Sequence, residues 1–183
     1  MKNLFILTLI LIFLTIHTES LLLILQRKGK YVTKWLGRYA FTFHASLTMV
    51  LWIVTFVLIF ILQFQPHPRF HDSLIIRYAG LILIPAGVLL ALWGFSLLGL
   101  KRALCLNFYQ DNVPQVTRSI YKYVKNPLDI GLWTALVGFA CWTGSIYNLI
   151  IAGVFILVMI PHIWLENKQL RWVLSKFIPR GRG

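Results

Sequence analysis

Five long apolar segments constrain this chain more than any other feature of its sequence. They cover approximately residues 4–25, 40–63, 78–100, 128–143 and 146–165. Because about 20 apolar residues form a helix that crosses a membrane, five such helices and their connectors use up all 183 residues. A content of 58% hydrophobic residues also excludes an ordinary soluble domain. The sequence therefore predicts an all-α polytopic membrane helical bundle of about five transmembrane helices, with residues 1–183 forming a single membrane domain.

The 18 Lys and Arg residues are distributed unevenly between the two ends of this predicted bundle. Fifteen of them fall on one side of a five-helix alternation. They are Arg27, Lys28, Lys30, Lys34, Arg38, Lys101, Arg102, Arg118, Lys122, Lys125, Lys168, Arg171, Lys176, Arg180 and Arg182. The other side has only Lys2, Arg69 and Arg77.

This asymmetry predicts the orientation of the chain. By the positive-inside rule, the N-terminus lies outside and the C-terminus in the cytoplasm, in a bacterial inner membrane or an equivalent one. The net charge of +13 then orients the protein and attracts anionic lipid, so it does not indicate a nucleic-acid partner.

Two features of the apolar segments predict how the helices pack. Gly80, Gly87 and Gly94 are seven residues apart and lie near one stripe of the third helix. Small residues on a stripe allow another helix to approach closely, so a packing seam is the first interpretation and a ligand groove the second. The fourth and fifth segments are separated only by residues 143–145, which predicts a tight antiparallel C-terminal hairpin.

Residues 121–131 combine the features of a helix start with those of a ligand site. Asn126 suits the N-cap, Pro127 suits the first helical position, and a carboxylate at Asp129 favours the helix dipole. These three residues require no ligand. The unpaired N–H groups of a helix start, with Lys125 beside them, also suit a carboxylate or phosphate. Both interpretations stay open.

Ionisable residues within or beside the apolar segments are the other candidates for a site. His162 and Glu166 are four residues apart and share a helix face. Glu166 either faces the bundle interior or pairs with Lys168 or Arg171 in solvent. His17 and Glu19 interrupt the first segment, where they serve either a function or interhelical hydrogen bonds. No metal site is predicted.

Two segments that flank the hairpin have a recognisable pattern. Residues 117–131 read TRSIYKYVKNPLDIG, and residues 162–170 read HIWLENKQL. They resemble the T-x-G-x-Y-R-x-V-R-H-P-x-Y-x-G and R-x-x-x-E-E-x-x-L motifs of isoprenylcysteine carboxyl methyltransferase-like membrane proteins. That group includes methanethiol S-methyltransferase-like and NnrU-like proteins.

The resemblance implies a function and a set of site residues. A member of this family binds S-adenosylmethionine near the cytoplasmic face and methylates a small lipophilic or lipid-linked acceptor that enters from the bilayer. The implied partners are membrane lipids and a lipophilic small molecule or lipidated acceptor. Glu166 matches the position expected to be catalytic. The positions that match cofactor-binding residues are Tyr121, Lys125, Asn126, Pro127, Gly131 and Glu166.

Four substitutions in the motifs leave two alternative functions open. Lys125, Asn126, Asp129 and Asn167 replace the Arg, His, Tyr and second Glu of the family pattern. One alternative is a non-catalytic membrane protein of the same fold with a binding or partner role. The other is a different lipid-modifying enzyme on the same scaffold.

Overall fold

The computed structural model describes residues 2–62, 68–70, 72–110, 116 and 119–177, with side chains described as far as residue 168. The predicted basic residues Arg118, Arg180 and Arg182 lie outside the described residues. The described part of the chain is predominantly helical and contains no strand. The predicted all-α polytopic membrane bundle is confirmed.

All five predicted apolar segments are helical over most of their described residues. The helices are α1 (Lys2–Gly29), α2 (Tyr31–Leu36), α3 (Ala40–Leu62), α4 (Leu74–Leu98), α5 (Leu100–Ala103), α6 (Pro127–Thr143) and α7 (Ile146–Phe177). Among the described residues, four stretches are long and apolar enough to cross a membrane: α1, the α2–α3 region, α4 and α7. With 17 residues, α6 is about 26 Å long at 1.5 Å per residue and therefore shorter than these four.

The helices have an inside-out distribution of polarity that suits a lipid solvent. Large apolar side chains point outward, and Ile75, Ile82 and Leu157 are each more than two-thirds exposed. Polar side chains occupy the interior instead, where the Thr15 and Thr55 hydroxyls lie 3.1 Å apart in a hydrogen bond. Buried hydroxyl pairs of this kind connect helices where lipid cannot supply a hydrogen-bond partner.

Glycines hold α4 against α6 along the whole length of α6. A Cβ added at Gly87 would lie 2.5 Å from the carbonyl oxygen of Gly131, and one added at Gly131 would lie 2.6 Å from that of Gly87. Gly80 faces Gly138 and Gly94 faces Pro127 in the same way, so the two helices are antiparallel. The predicted packing seam is confirmed, and its backbones approach too closely for a ligand groove.

Contacts at one end of the bundle agree with the predicted alternation of the helices. At one end, Phe5 of α1 stacks on Tyr147 of α7 with ring centroids 4.3 Å apart. Arg69, between α3 and α4, pairs as an isolated bridge with Ser145, between α6 and α7. The end that carries most of the basic residues, called here the basic end, lies opposite these contacts.

The connector between α4 and α6 folds over the basic end. Cys105 and Phe108 are buried there against Leu23 of α1 and Leu165 of α7. The connector therefore packs against both the first long helix and the last.

The helix start that the sequence predicted lies at the end of this connector. Asn126 occupies the N-cap and Pro127 begins α6. The Asn126 side chain does not bond the helix backbone, as a capping residue would; its Nδ2 donates to Asp129 Oδ2 at 3.3 Å. Because the Asn126 side chain bonds Asp129 instead, it does not cap the first N–H groups of α6.

Candidate functional site

A cavity of about 360 Å³ lies at the basic end of the bundle, between α1, α3, α4, α6, α7 and the connector. Its size is within the range of small-molecule sites. Aromatic side chains form much of its wall, namely Trp52, Phe56, Phe95, Tyr121 and Phe155. Polar and charged groups converge on the same space from four different segments, which makes this cavity the candidate site.

Three carboxylates line this cavity, one from each of three helices. Glu19 of α1 is 6% exposed, and its Oε2 accepts a hydrogen bond from Trp52 Nε1 at 3.2 Å. Asp129 of α6 accepts from the Asn126 amide, and Glu166 Oε1 of α7 accepts from Cys105 Sγ at 3.1 Å.

No cationic side chain neutralises these carboxylates within the described residues, where the one ion pair is the exposed Arg69–Asp72 pair. Buried charge without a counter-ion is unfavourable. The cavity is therefore suited to a positively charged ligand.

Two basic side chains lie at the rim of the same cavity. Lys125 is exposed just before α6, and Arg102, in α5, is partly buried. A guanidinium can bind a carboxylate or phosphate with two parallel hydrogen bonds, whereas an ammonium binds it as a point charge. The cavity thus offers negative charge in its interior and positive charge at its rim.

Cys105 and His162 complete the polar part of the site. Cys105 is 1% exposed and has a φ of 61°, a left-handed conformation that is uncommon for a residue other than glycine. Burial, together with the negative charges of Glu166 and Glu19, raises the pKa of the Cys105 thiol well above its usual range. His162 is 5% exposed, and its Nδ1 lies 3.1 Å from Ser20 Oγ.

Comparison with known proteins identifies the family. A family model described as phospholipid methyltransferase matches residues 75–176, which is more than half of the chain. The chain belongs to the phospholipid methyltransferase family. The match confirms the resemblance to isoprenylcysteine carboxyl methyltransferase-like proteins. No curated protein and no solved structure shows a match.

The region that matches the phospholipid methyltransferase family supplies part of the cavity only. It includes α4, the connector, α6 and most of α7, which carry Asp129, His162 and Glu166. Glu19 and Trp52 come from α1 and α3, which precede the match. The segment before the family match therefore contributes a buried carboxylate and an aromatic wall to the site.

The structure brings four of the six predicted site residues to the cavity of this phospholipid methyltransferase family member. Tyr121, Lys125, Asn126 and Glu166 all line it. Tyr121 Oη donates to the Gly94 carbonyl oxygen at 3.2 Å, and burial, with Asp129 and Glu166 nearby, raises its pKa to about 12. The phenol therefore remains a neutral donor.

The other two predicted residues lie in the seam between α4 and α6. Pro127 is buried against Gly94, and Gly131 faces Gly87 across the close helix contact. Their positions fix where α6 begins relative to α4. Neither residue lines the cavity, but their neighbours in sequence, Asn126 and Leu132, do.

Arg102 and Cys105 are site residues that sequence reasoning missed. Both lie between α4 and α6, where the one helix, α5, is too short to show a period that indicates which side chains point inward. Glu19 had a detectable signal, because an acidic residue within an apolar segment marks an interior position. His17, two residues away, faces outward and bonds the Phe13 carbonyl oxygen at 2.9 Å, so the structure separates the pair.

Proposed function

We propose that this protein transfers a methyl group from S-adenosylmethionine to a small lipophilic or lipid-linked acceptor at the cytoplasmic membrane face. Membership of the phospholipid methyltransferase family supports a membrane methyltransferase function. The observation that carries the proposal further is the distribution of charge in the cavity. Three carboxylates without counter-ions among the described residues line a space with two basic side chains at its rim.

This distribution of charge complements that of S-adenosylmethionine. Its sulfonium and ammonium groups are cationic and suit an interior that contains Glu19, Asp129 and Glu166. Its carboxylate suits the rim, where Lys125 and Arg102 lie. The aromatic walls offer flat surfaces for the adenine ring and for cation–π contact with the sulfonium.

The role proposed for each predicted residue follows from its place. Glu166 holds the positive part of the cofactor beside the acceptor and acts as the catalytic residue. Tyr121 and Asn126 shape the wall around it, and Lys125 binds the carboxylate. Pro127 and Gly131 act indirectly, because they hold the start of α6 against α4.

The chemistry asked of these residues is mainly alignment. S-adenosylmethionine supplies an electrophilic methyl carbon, whose bond to sulfur breaks as the bond to the acceptor forms. The cavity has to place the acceptor atom in line with that carbon and exclude water. The carboxylate of Glu166 is available for the proton that the acceptor loses.

An apolar mouth between α3 and α4 suits entry of an acceptor from the bilayer. Met49 and Phe56 of α3 and Phe95 of α4 line the cavity and are each more than a third exposed. The cavity wall and the lipid-facing surface therefore share these side chains. An acceptor with an acyl or prenyl chain would keep that chain in lipid while its reactive end reaches the carboxylates.

Calorimetric titration of the purified protein in detergent with S-adenosylmethionine tests the proposal. We expect saturable binding, and we expect Lys125→Met to weaken it about tenfold, because one charged contact contributes about 1.4 kcal/mol or more. Lys122→Met is the matched control, since Lys122 lies outside the cavity over the Tyr123 ring. Its affinity should equal that of the parent.

Transfer of a labelled methyl group into lipid extract then separates the candidate functions. Labelled lipid would support the methyltransferase. Binding without transfer to any membrane lipid or lipidated acceptor would favour the non-catalytic alternative. Folded parent protein that does not bind S-adenosylmethionine would contradict the proposal itself, and lipid turnover without cofactor consumption would favour another lipid-modifying enzyme.

The proposed cytoplasmic face rests on the excess of basic residues at the basic end. We expect a reporter fused to the C-terminus to be active only in the cytoplasm. Replacing Lys28, Lys30 and Lys34 together with Gln should yield a mixed population, because these residues make up much of the bias near α1. A reporter active only outside would reverse the orientation and place the cavity on the opposite face.

A further inference from the structure

A mixed cluster of metal-ligating side chains lies at the cavity, and the methyltransferase proposal uses only one of them, Glu19. A carboxylate oxygen of Glu19, the Cys105 sulfur and a ring nitrogen of His162 all lie within 4.8 Å of one another. The three residues come from α1, the connector and α7, and all three are buried. We propose that Glu19, Cys105 and His162 bind a divalent transition metal, Zn²⁺ foremost.

The types of ligand atom in this cluster indicate which metal it would bind. Thiolate, imidazole and carboxylate are the three side-chain types that bind Zn²⁺, whereas Mg²⁺ and Ca²⁺ take oxygen ligands alone. In a tetrahedral zinc site the donor atoms are about 3.5 Å apart, so the cluster has to contract by about 1 Å.

Two of the three proposed ligands, Glu19 and His162, already have a hydrogen-bond partner that holds their direction. Trp52 Nε1 donates to Glu19 Oε2 at 3.2 Å, and Ser20 Oγ lies 3.1 Å from His162 Nδ1. Second contacts of this kind hold metal ligands in place, and their loss commonly lowers metal affinity by about 10- to 100-fold. An arrangement of three buried donors with outer partners is more than a chance cluster of acidic groups.

The charges also fit. A thiolate at Cys105 and a carboxylate at Glu19 together neutralise a divalent cation, which removes the cost of a buried carboxylate without a counter-ion. Glu166 Oε1 lies 3.1 Å from Cys105 Sγ, so it is placed to accept the proton that the thiol loses when a metal binds.

Three protein ligands leave a fourth position of a tetrahedral ion open. Two of the three ligands, Glu19 and His162, line the cavity, so a metal bound to them would lie at its wall. A metal there would contact an oxygen or sulfur atom of the acceptor. This consequence rests on the proposed function, whereas metal binding itself does not.

The test uses the full chain, purified in detergent with its affinity tag removed, stripped with a chelator and dialysed against Zn²⁺ alone. We expect elemental analysis to find one zinc per chain. Replacing zinc with Co²⁺ should give a thiolate-to-cobalt charge-transfer band in the near ultraviolet. Cys105→Ser should abolish that band, and His162→Ala should lower zinc affinity about 100-fold or more.

The chain offers a matched control for each variant. Cys141 is its other cysteine and lies on α6, while the exposed His17 bonds its own helix, so Cys141→Ser and His17→Gln should bind zinc as the parent does. Parent protein without a thiolate band would overturn the proposal, even if the Cys105 variant fails to fold. Zinc retained at parental affinity by folded His162→Ala would also overturn it. Binding of S-adenosylmethionine by metal-free protein that takes up no zinc would overturn this inference alone.

Discussion

Gly87→Ala should unfold this protein or separate α4 from α6, although it adds only one methyl group. The new Cβ would lie 2.5 Å from the Gly131 carbonyl oxygen and would also meet the backbone nitrogen of Ala135. Real Cβ atoms essentially never approach other heavy atoms closer than 3.0 Å, and helix backbone cannot rotate away as a side chain can. We expect a loss of about 3 kcal/mol or more, at the upper end of overpacking effects. Thermal unfolding in detergent measures it.

Gly153→Ala is the matched control for this substitution. Gly153 lies in α7, where an added Cβ meets nothing within 4 Å, so its replacement should leave the unfolding temperature unchanged or raise it slightly. Because α6 carries Asp129 and α4 carries Phe95, separating the two helices should also abolish ligand binding in the cavity. A Gly87→Ala protein as stable as Gly153→Ala would show that the seam is looser than described.

The fold was predictable because its determinants are periodic or local. Apolar runs of membrane length defined the helices, and the seven-residue spacing of Gly80, Gly87 and Gly94 identified the seam before any partner helix was known. The short break before Ile146 predicted the hairpin, and in the structure only Gly144 and Ser145 separate α6 from α7. The role of the Asn126 side chain was not predictable, because its choice between the α6 backbone and Asp129 depends on the final geometry.

The site was predictable only in part, because its residues come from segments far apart in sequence. Glu166 was identifiable from its position beside a membrane helix and its motif, and Glu19 from its place in an apolar run. Cys105 and Arg102 lie in a connector without periodicity. Nothing local shows that Cys105 reaches Glu166 across 61 residues of chain.

Arg102 bears on one of the substitutions in the family motif. The motif carries an arginine where this chain has Lys125, and a lysine cannot bind a carboxylate through two parallel hydrogen bonds. Arg102 lines the same cavity from the connector and offers a guanidinium there. The cavity therefore retains a group capable of two-point binding, supplied from a different part of the sequence.

Glu166→Gln should sharply reduce binding of S-adenosylmethionine while leaving the fold as stable as before or more stable. The amide keeps the size of the carboxylate and can still accept a hydrogen bond from Cys105. It removes a charge, and a charge-assisted contact contributes about 1.5–3 kcal/mol, so affinity should fall about 10- to 100-fold. Methyl transfer should fall by at least as much. Stability should not fall, because the described residues offer this charge no counter-ion.

A fall in affinity without a fall in stability distinguishes a ligand-binding residue from a structural one. A carboxylate that only held the fold together would lower the unfolding temperature and the affinity in parallel when replaced. Asp72→Asn is the control for the loss of one negative charge, since Asp72 is exposed and pairs with Arg69 at the other end of the bundle. It should change neither property. Affinity that survives Glu166→Gln unchanged would remove Glu166 from the cofactor site, because the proposed recognition depends on its charge rather than on its shape.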